Sequence, residues 1–321
     1  MTARHTSSDD QQPWWRSGVL YQIYPRSYAD DSGDGVGDLK GITKRLDYIA
    51  SLGVTGIWIS PFFKSPMKDF GYDVEDHRAV DPLFGTLEDF TELIEEAHER
   101  GLRVLIDLVL SHTSEAHRWF VEEKASRADD RSARYVWADP AADGGPPNNW
   151  LSIFGGSAWS YEPQRQQYYL HNFLQSQPDL NFHNPEVREE ALAVARWWLE
   201  RGVDGFRLDT VNFYFHDQGL RNNPSAVQRD EQVVSSDNPY GHQDHRHDKN
   251  QPEVCDFLSE LGELLAEFLE PLLGVLNLAF LHALQVSLRI EHRAVEGLRR
   301  ECDRNLGQNR RKRLRRLLSE N

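Results

Sequence analysis

Between Val19 and Leu208 the chain alternates short β-rich runs with helical stripes, punctuated by Gly and Pro, and this rhythm restricts the fold more than any other feature. Val19–Tyr24 (VLYQIY) reads as a first strand that leaves at Pro25. Leu39, Ile42, Leu46, Ile49 and Leu52 form one apolar stripe, which predicts a single helix over Leu39–Leu52. Gly53 ends it, and Thr55–Ile59 (TGIWI) reads as a buried strand stopped by Pro61. A helix over Thr86–Arg100 has Thr86 as N-cap and Glu88 and Asp89 in its first turn. A third strand follows at Val104–Leu110 (VLIDLVL). Ser111 to about Asn181 is rich in Trp, Pro, Asn and Gly and has no helical period, as expected of a functional insertion. Alternation resumes with a helix at Glu186–Arg201, a fourth strand at Asp204–Leu208 (DGFRL) and a helix at Pro252–Phe268. The pattern is α/β with parallel strands: the first half of a (β/α)₈ barrel, although doubly wound sheets share the alternation.

Composition divides the chain at one point. Met1–Phe268 carries 25 basic and 45 acidic residues, whereas Leu269–Asn321 carries 11 basic and 6 acidic. Of the 35 aromatic residues only Phe280 lies beyond Phe268, so two compositions share one chain. The acidic total excludes a nucleic-acid partner, since phosphate contact needs a basic footprint. Residues 1–13 are polar and read as a disordered start with no secretory signal, which makes the cytoplasm the expected compartment. Leu269–Leu288 is the one membrane-like stretch, but Pro271, Asn277, His282 and Gln285 interrupt it, and a membrane span is disfavoured. Cys255 and Cys302 are too few for a disulfide framework and read as two reduced thiols.

Four polar clusters stand at or near the predicted strand exits. Asp30, Ser32, Asp34 and Asp38 occupy positions 1, 3, 5 and 9 of an EF-hand-like loop, with Gly35 at the sharp turn and the Val36 carbonyl at position 7. Four acidic residues in nine would repel one another without a cation, so a structural Ca²⁺ or Mg²⁺ is expected; Gly41 stands where the bidentate Glu of an EF-hand would be. In Asp69-Phe70-Gly71-Tyr72-Asp73 an acid and an aromatic suit a hydroxyl-rich ring, and an ordinary glycine turn explains the segment equally well. Asp107 reads as a buried carboxylate within strand three, and His112 at its exit as a candidate ligand contact, although a lone histidine at such a place is more often structural. Arg207 and Asp209, two apart on a strand, point to one face, so the guanidinium is expected to lower the Asp209 pKa and keep a carboxylate nucleophile ionised, although a structural Arg–Asp pair has the same spacing.

Taken together, VLYQIYPRSYADDSGDGVGDLKGI, GVTGIWISPFFKSPMKDFGYDV, DLVLSHTS, NNWLSIFGGSAW, QPDLN and GFRLDTVNFYFHD resemble the α-amylase superfamily of glycoside hydrolases, in its α-glucosidase and oligo-1,6-glucosidase branch. The resemblance covers Trp14 to about Phe268. It implies a catalytic barrel over residues 14–110 and 182–268, an inserted B domain over 111–181, and a non-family, basic, helical tail over 269–321. It implies Asp209 as nucleophile with Arg207 as its partner. Asp69, Tyr72 and His112 would hold the non-reducing glucose, Phe154 and Phe173 would line the pocket, and Thr210 would shape linkage choice. Asp30, Ser32, Asp34, Val36 and Asp38 match the family's metal loop, with Ser32 where Asn is commoner.

The implied reaction is retaining hydrolysis of terminal α-1,4-linked glucose from maltose, sucrose or short oligosaccharides. It needs a second carboxyl ~5 Å from the nucleophile. The family places that Glu after a fifth strand, yet here no acidic residue stands between Glu270 and Glu291, and the later His-Asp pair is missing too. The break near Phe268 therefore reads as family sequence followed by an unrelated tail, from a frameshift or from true shortening, and the chain is expected to be inactive. Two other functions fit the same residues: glucosyl transfer to an acceptor other than water, and a non-catalytic glucosidase-like binding or membrane-partner protein.

Overall fold

The computed structural model describes residues 14–125, 127, 133–226, 234–235 and 237–268. The expectations of a disordered residue 1–13 segment, a tail over 269–321 and a membrane-like Leu269–Leu288 fall outside those residues. Among the described residues no helix is long and apolar enough to cross a membrane.

A one-turn helix α1 (Trp14–Ser17) leads into β1 (Leu20–Ile23), α2 (Pro25–Tyr28), α3 (Leu39–Thr43), α4 (Leu46–Ser51) and β2 (Gly56–Ile59). The single helix expected over Leu39–Leu52 is thus two. Asp38 caps α3 by accepting from the Gly41 amide, and Arg45 at φ −104, ψ 0 breaks the spiral before α4. The apolar stripe survives the break, since Leu39, Ile42, Leu46 and Ile49 are all fully buried. A Cβ on Gly41 would lie 2.0 Å from the Ala29 carbonyl, so only glycine lets the acidic loop lie against α3.

An antiparallel pair follows, β3 (Phe63–Lys64) and β4 (Asp76–Val80), then α5 (Leu87–Glu99) and β5 (Arg103–Val109). Helix α5 starts with the expected Thr86 cap, closed into a reciprocal box by Asp89, a device worth about 1 kcal/mol. The insertion then carries α6 (Arg118–Lys124) and a small antiparallel sheet of β6 (Trp137–Ala138), β7 (Trp159–Glu162) and β8 (Gln167–Leu170), with β8 in the middle. Short helix α6 lies in the segment without a helical period, because seven residues are too few to display one, and burial of Trp119 and Phe120 holds it. An isolated bridge of His112 with Asp179 ties the end of the insertion to the exit of β5, and a second, Tyr135 with Leu180, closes the insertion on itself. Helix α7 (Pro185–Leu199) starts with Asn184 as cap and Pro185 at its first position, and β9 (Gly205–Asp209) and α8 (Val254–Phe268) complete the described elements.

Strands β1, β2, β5 and β9 form one parallel sheet in that order. Helices cover one face of it. Trp198 of α7 stacks on Phe63 at 5.0 Å, meets Phe90 of α5 edge-on at 5.0 Å, and donates its indole N–H to the His77 carbonyl at 2.8 Å. Cys255 is buried in α8; Cys302, the other of the two expected thiols, lies outside the described residues.

Candidate active site

Register decides which side chains share the face away from the helices. Trp58 pairs with Leu105, Asp107 with Arg207, and Val109 with Asp209. Because side chains alternate along a strand, Trp58, Asp107, Arg207 and Asp209 all emerge on that face. Arg207 Nη1 donates to Asp107 Oδ1 at 2.9 Å and also to Asp209 Oδ1. Asp107 Oδ2 accepts from the Trp58 indole at 3.2 Å and from the Tyr72 hydroxyl at 3.3 Å. Asp107, expected as a buried carboxylate, is buried and also forms the second leg of a carboxylate–guanidinium–carboxylate triad.

Two acids share one cation here. Burial pushes Asp107 up to about 7, with Arg207 pulling against it. Burial also raises the Asp209 pKa, and the guanidinium offsets only part of that push. The sequence-based expectation of a lowered Asp209 pKa is therefore corrected: desolvation outweighs the ion pair.

The turn after β3 brings Asp69 and Tyr72 to the same end. The Tyr72 amide donates to the Asp69 carbonyl at 3.0 Å, and Asp73, fully buried, anchors the turn by accepting from the Lys68 and Asp69 amides and the Ser65 hydroxyl. Gly71 sits at φ 104 with Pro61 against it, a conformation and a space that suit glycine. Burial raises the pKa of half-buried Asp69, and burial and the neighbouring Asp107 raise that of the Tyr72 phenol.

His112 follows β5, buried, and burial lowers its pKa to about 4, so the ring is neutral at pH 7. A hydrogen-bonded chain runs from Thr210 Oγ1 to Ser111 Oγ (2.6 Å) and on to His112 Nδ1 (2.8 Å). On the far side Gln177 Nε2 lies 3.1 Å from His112 Nε2 and donates to Asp69 Oδ2 at 2.8 Å. Thr210, directly after Asp209, has φ 44, a left-handed conformation uncommon for a β-branched residue, which aims the chain into the 3₁₀ turn Val211–Phe213. Phe173 touches the His112 ring at 5.1 Å, Phe213 at 5.2 Å and Phe154 at 5.9 Å, and Phe154 is the exposed member at 58%. The structure thus brings Asp209, Arg207, Tyr72 and Asp107 together in one set of contacts, and Asp69, His112, Thr210, Phe173 and Phe154 in an adjoining one.

The acidic loop stands apart from this cluster. Asp30 accepts from the Gly33 and Gly35 amides at 2.6 and 2.8 Å, which hold its carboxyl below the usual range, and Asp34 accepts from the Val36 amide at 2.8 Å. Burial pushes the Asp38 carboxyl up, but its bonds to the amides of Gly41, Ser32 and Asp31 outweigh this and lower it. Among the described residues no three Asp, Glu, His or Cys side chains converge as a metal cluster. The donor chemistry of Asp30, Ser32, Asp34 and the Val36 carbonyl still suits a hard cation, with positive φ at Gly33 and Gly35 allowing the tight wrap.

Two residues of the site escaped the sequence reading. Gln177 stood out there only as part of QPDLN, and it is fully buried between Asp69 and His112. Trp58 was one apolar residue in a strand; its alternation with Ile57 and Ile59 was the available signal.

A parallel sheet whose strand exits gather carboxylates, a guanidinium and aromatics has the layout of an α/β-barrel enzyme. Residues 22–275 match the alpha-amylase family model, described as alpha amylase, catalytic domain, and the chain belongs to that family of glycoside hydrolases. It is 62% identical over 273 residues to a probable alpha-glucosidase of Rhizobium meliloti (strain 1021), covering 84% of this chain and 50% of that protein. An oligo-1,6-glucosidase of Bacillus cereus is 43% identical over 253 residues, covering 79% of this chain and 43% of the relative. Among solved structures, the alpha-glucosyl transfer enzyme XgtA superposes with a TM-score of 0.79 at 60% identity, over 81% of this chain and 49% of that one. The chain spans about half the length of the relatives it matches.

Proposed function

We propose that this chain carries the nucleophile side of a retaining α-glucosidase site, for terminal α-1,4-linked glucose of maltose, sucrose or short oligosaccharides. The supporting observation is the Asp107–Arg207–Asp209 triad at the end of β9, adjoining Asp69, Gln177 and His112. In this reading Asp209 attacks the anomeric carbon, the C–O bond to the leaving group breaks, and a glucosyl ester forms on the carboxylate. Arg207 favours the charged form of Asp209 against its burial and fixes its orientation. Asp69, Tyr72 and His112 bind the glucose hydroxyls, Phe173 and Phe154 shield its apolar face, and Thr210 shapes linkage choice. Neutral His112 is held by Ser111 at Nδ1 and by Gln177 at Nε2, which fixes its ring beside Phe173.

The sequence has no acidic residue between Glu270 and Glu291 to protonate the leaving group, and unassisted departure forfeits ~10²–10⁴-fold in rate. We therefore read the chain as inert toward maltose and as the first half of a barrel, four strands of eight, with the 30–38 loop holding a structural Ca²⁺ or Mg²⁺ through Asp30, Ser32, Asp34, Val36 and Asp38. The identity to XgtA favours a second reading, glucosyl transfer to a sugar or another alcohol.

α-Glucosyl fluoride separates the roles, because fluoride leaves without a general acid. The expected result is a stable mass increase of one anhydroglucose unit on the peptide holding Asp209, absent in Asp209→Asn. No adduct on the folded wild-type chain sinks the nucleophile assignment, and glucose release from maltose at enzymatic rates sinks the inactivity. Added acceptor alcohols, with product analysis, distinguish transfer from hydrolysis.

A further inference from the structure

Nothing in the proposed reaction uses Trp58, yet it makes two directed contacts beneath the site. Its indole N–H donates to Asp107 Oδ2 at 3.2 Å, and the Arg207 guanidinium carbon lies 5.2 Å from its ring centroid. Arg207 needs such support, because a single nitrogen, Nη1, serves both Asp107 and Asp209. A guanidinium on a flexible stem keeps one nitrogen between two carboxylates only if its plane and one of the carboxylates are held from outside. Tyr72 shares the task at Asp107 Oδ2, but it comes from a turn, whereas Trp58 sits within β2, the strand paired with β5. A tryptophan present only to fill the core would need no carboxylate as partner for its N–H.

We propose that Trp58 is a positioning residue for the nucleophile: through its N–H to Asp107 and its ring face under Arg207, it fixes the guanidinium that orients Asp209. The inference rests on the reading of Asp209 as nucleophile, and its test separates the two. Trp58→Phe keeps a ring face and drops the N–H; Trp58→Leu drops both. One measurement is the carboxyl titration of Asp107 by ¹³C NMR in protein labelled at aspartate Cγ, with Arg207, Asp209, Tyr72 and Tyr214 as the charged or titratable groups in its field. The other is the rate at which α-glucosyl fluoride labels Asp209.

Losing a donor to the charged form moves the Asp107 midpoint upward in both variants. Labelling slows roughly tenfold in Trp58→Phe, the effect of one hydrogen bond to a charged group, and further in Trp58→Leu, while the fluoride concentration at half-saturation is unchanged. Wild-type labelling by Trp58→Phe overturns the proposal whatever the midpoint does. If the wild-type chain is not labelled at all, the nucleophile reading fails, and the midpoint alone decides whether Trp58 holds the triad. Near-UV circular dichroism of each variant shows that it is folded, and the Phe variant suffices if the Leu variant is not.

Discussion

Replacing Asp179 by asparagine removes a buried acid at the seam between the insertion and the sheet, where Asp179 bridges His112. Asp179 Oδ2 accepts from the Asn172 amide at 2.9 Å and from its side chain at 2.5 Å, and Oδ1 has no hydrogen-bond partner among the described residues. Burial pushes this carboxyl up to about 8, and the field of Asp248 adds to the push. An unfolded aspartate titrates near ~3.9, a gap of about four units worth roughly 5 kcal/mol. The sign follows from proton counting: between those two values the folded chain holds a proton that the unfolded chain releases. Stability therefore falls with rising pH by about 1.4 kcal/mol per unit, and it is fully present only below the unfolded value. Asparagine preserves the shape and an acceptor for Asn172 but has no proton to exchange. Urea unfolding of both chains, followed by tryptophan fluorescence from about pH 5 to 8, should show the variant gaining on the wild type by about 3–4 kcal/mol across that range. The buried histidines His112, His117 and His216, whose pKa values burial lowers to about 4, 3 and 3, cancel in the difference. A pH-independent difference, or a wild type that gains on the variant as pH rises, refutes the reasoning.

Gln177→Leu removes the donor to Asp69 and the amide packed at His112 Nε2, and should slow labelling by α-glucosyl fluoride about tenfold or more, read by mass spectrometry. Trp198→Ala empties the space between Phe63 and Phe90 and should cost ~3–5 kcal/mol in urea unfolding. Millimolar calcium should raise the melting temperature of the wild type and leave Asp34→Ala unmoved; equal shifts in both would remove the 30–38 loop as the cation site.

The sheet was legible because β1 and β2 are apolar runs stopped by Pro25 and Pro61 and because β5 and β9 follow the helix-ending Gly101 and Gly202, and α5 because Thr86 and Asp89 form a local cap. The split between α3 and α4 was not, since Lys44 and Arg45 turn the backbone without disturbing the stripe of Leu39, Ile42, Leu46 and Ile49. The small sheet of the insertion depends on pairing between Trp137 and Tyr169 and between Trp159 and Leu170, contacts that no local period records. In the candidate site, Asp209 and Arg207 showed themselves by spacing, but Gln177 and Trp58 are residues of ordinary type whose role arises only when three strands and a loop meet. The Asp209 pKa was misjudged because the ion pair is visible in the sequence and its desolvation is not.

The pairing of Asp107 with Arg207 and of Val109 with Asp209 has a bearing on assembly as well as on chemistry. A slip of β9 by one residue along β5 would turn Arg207 and Asp209 toward the helices and present Phe206 and Leu208 in their place. Two charges would then be stranded in an apolar layer, at several kcal/mol each. The charged pair thus acts as a proofreader of strand alignment, rejecting the misregistered sheet before any substrate is present. Sequence drift that neutralised Asp209 and Arg207 together would cost the protein its means of telling the right alignment from the wrong one, in addition to the carboxylate proposed as nucleophile.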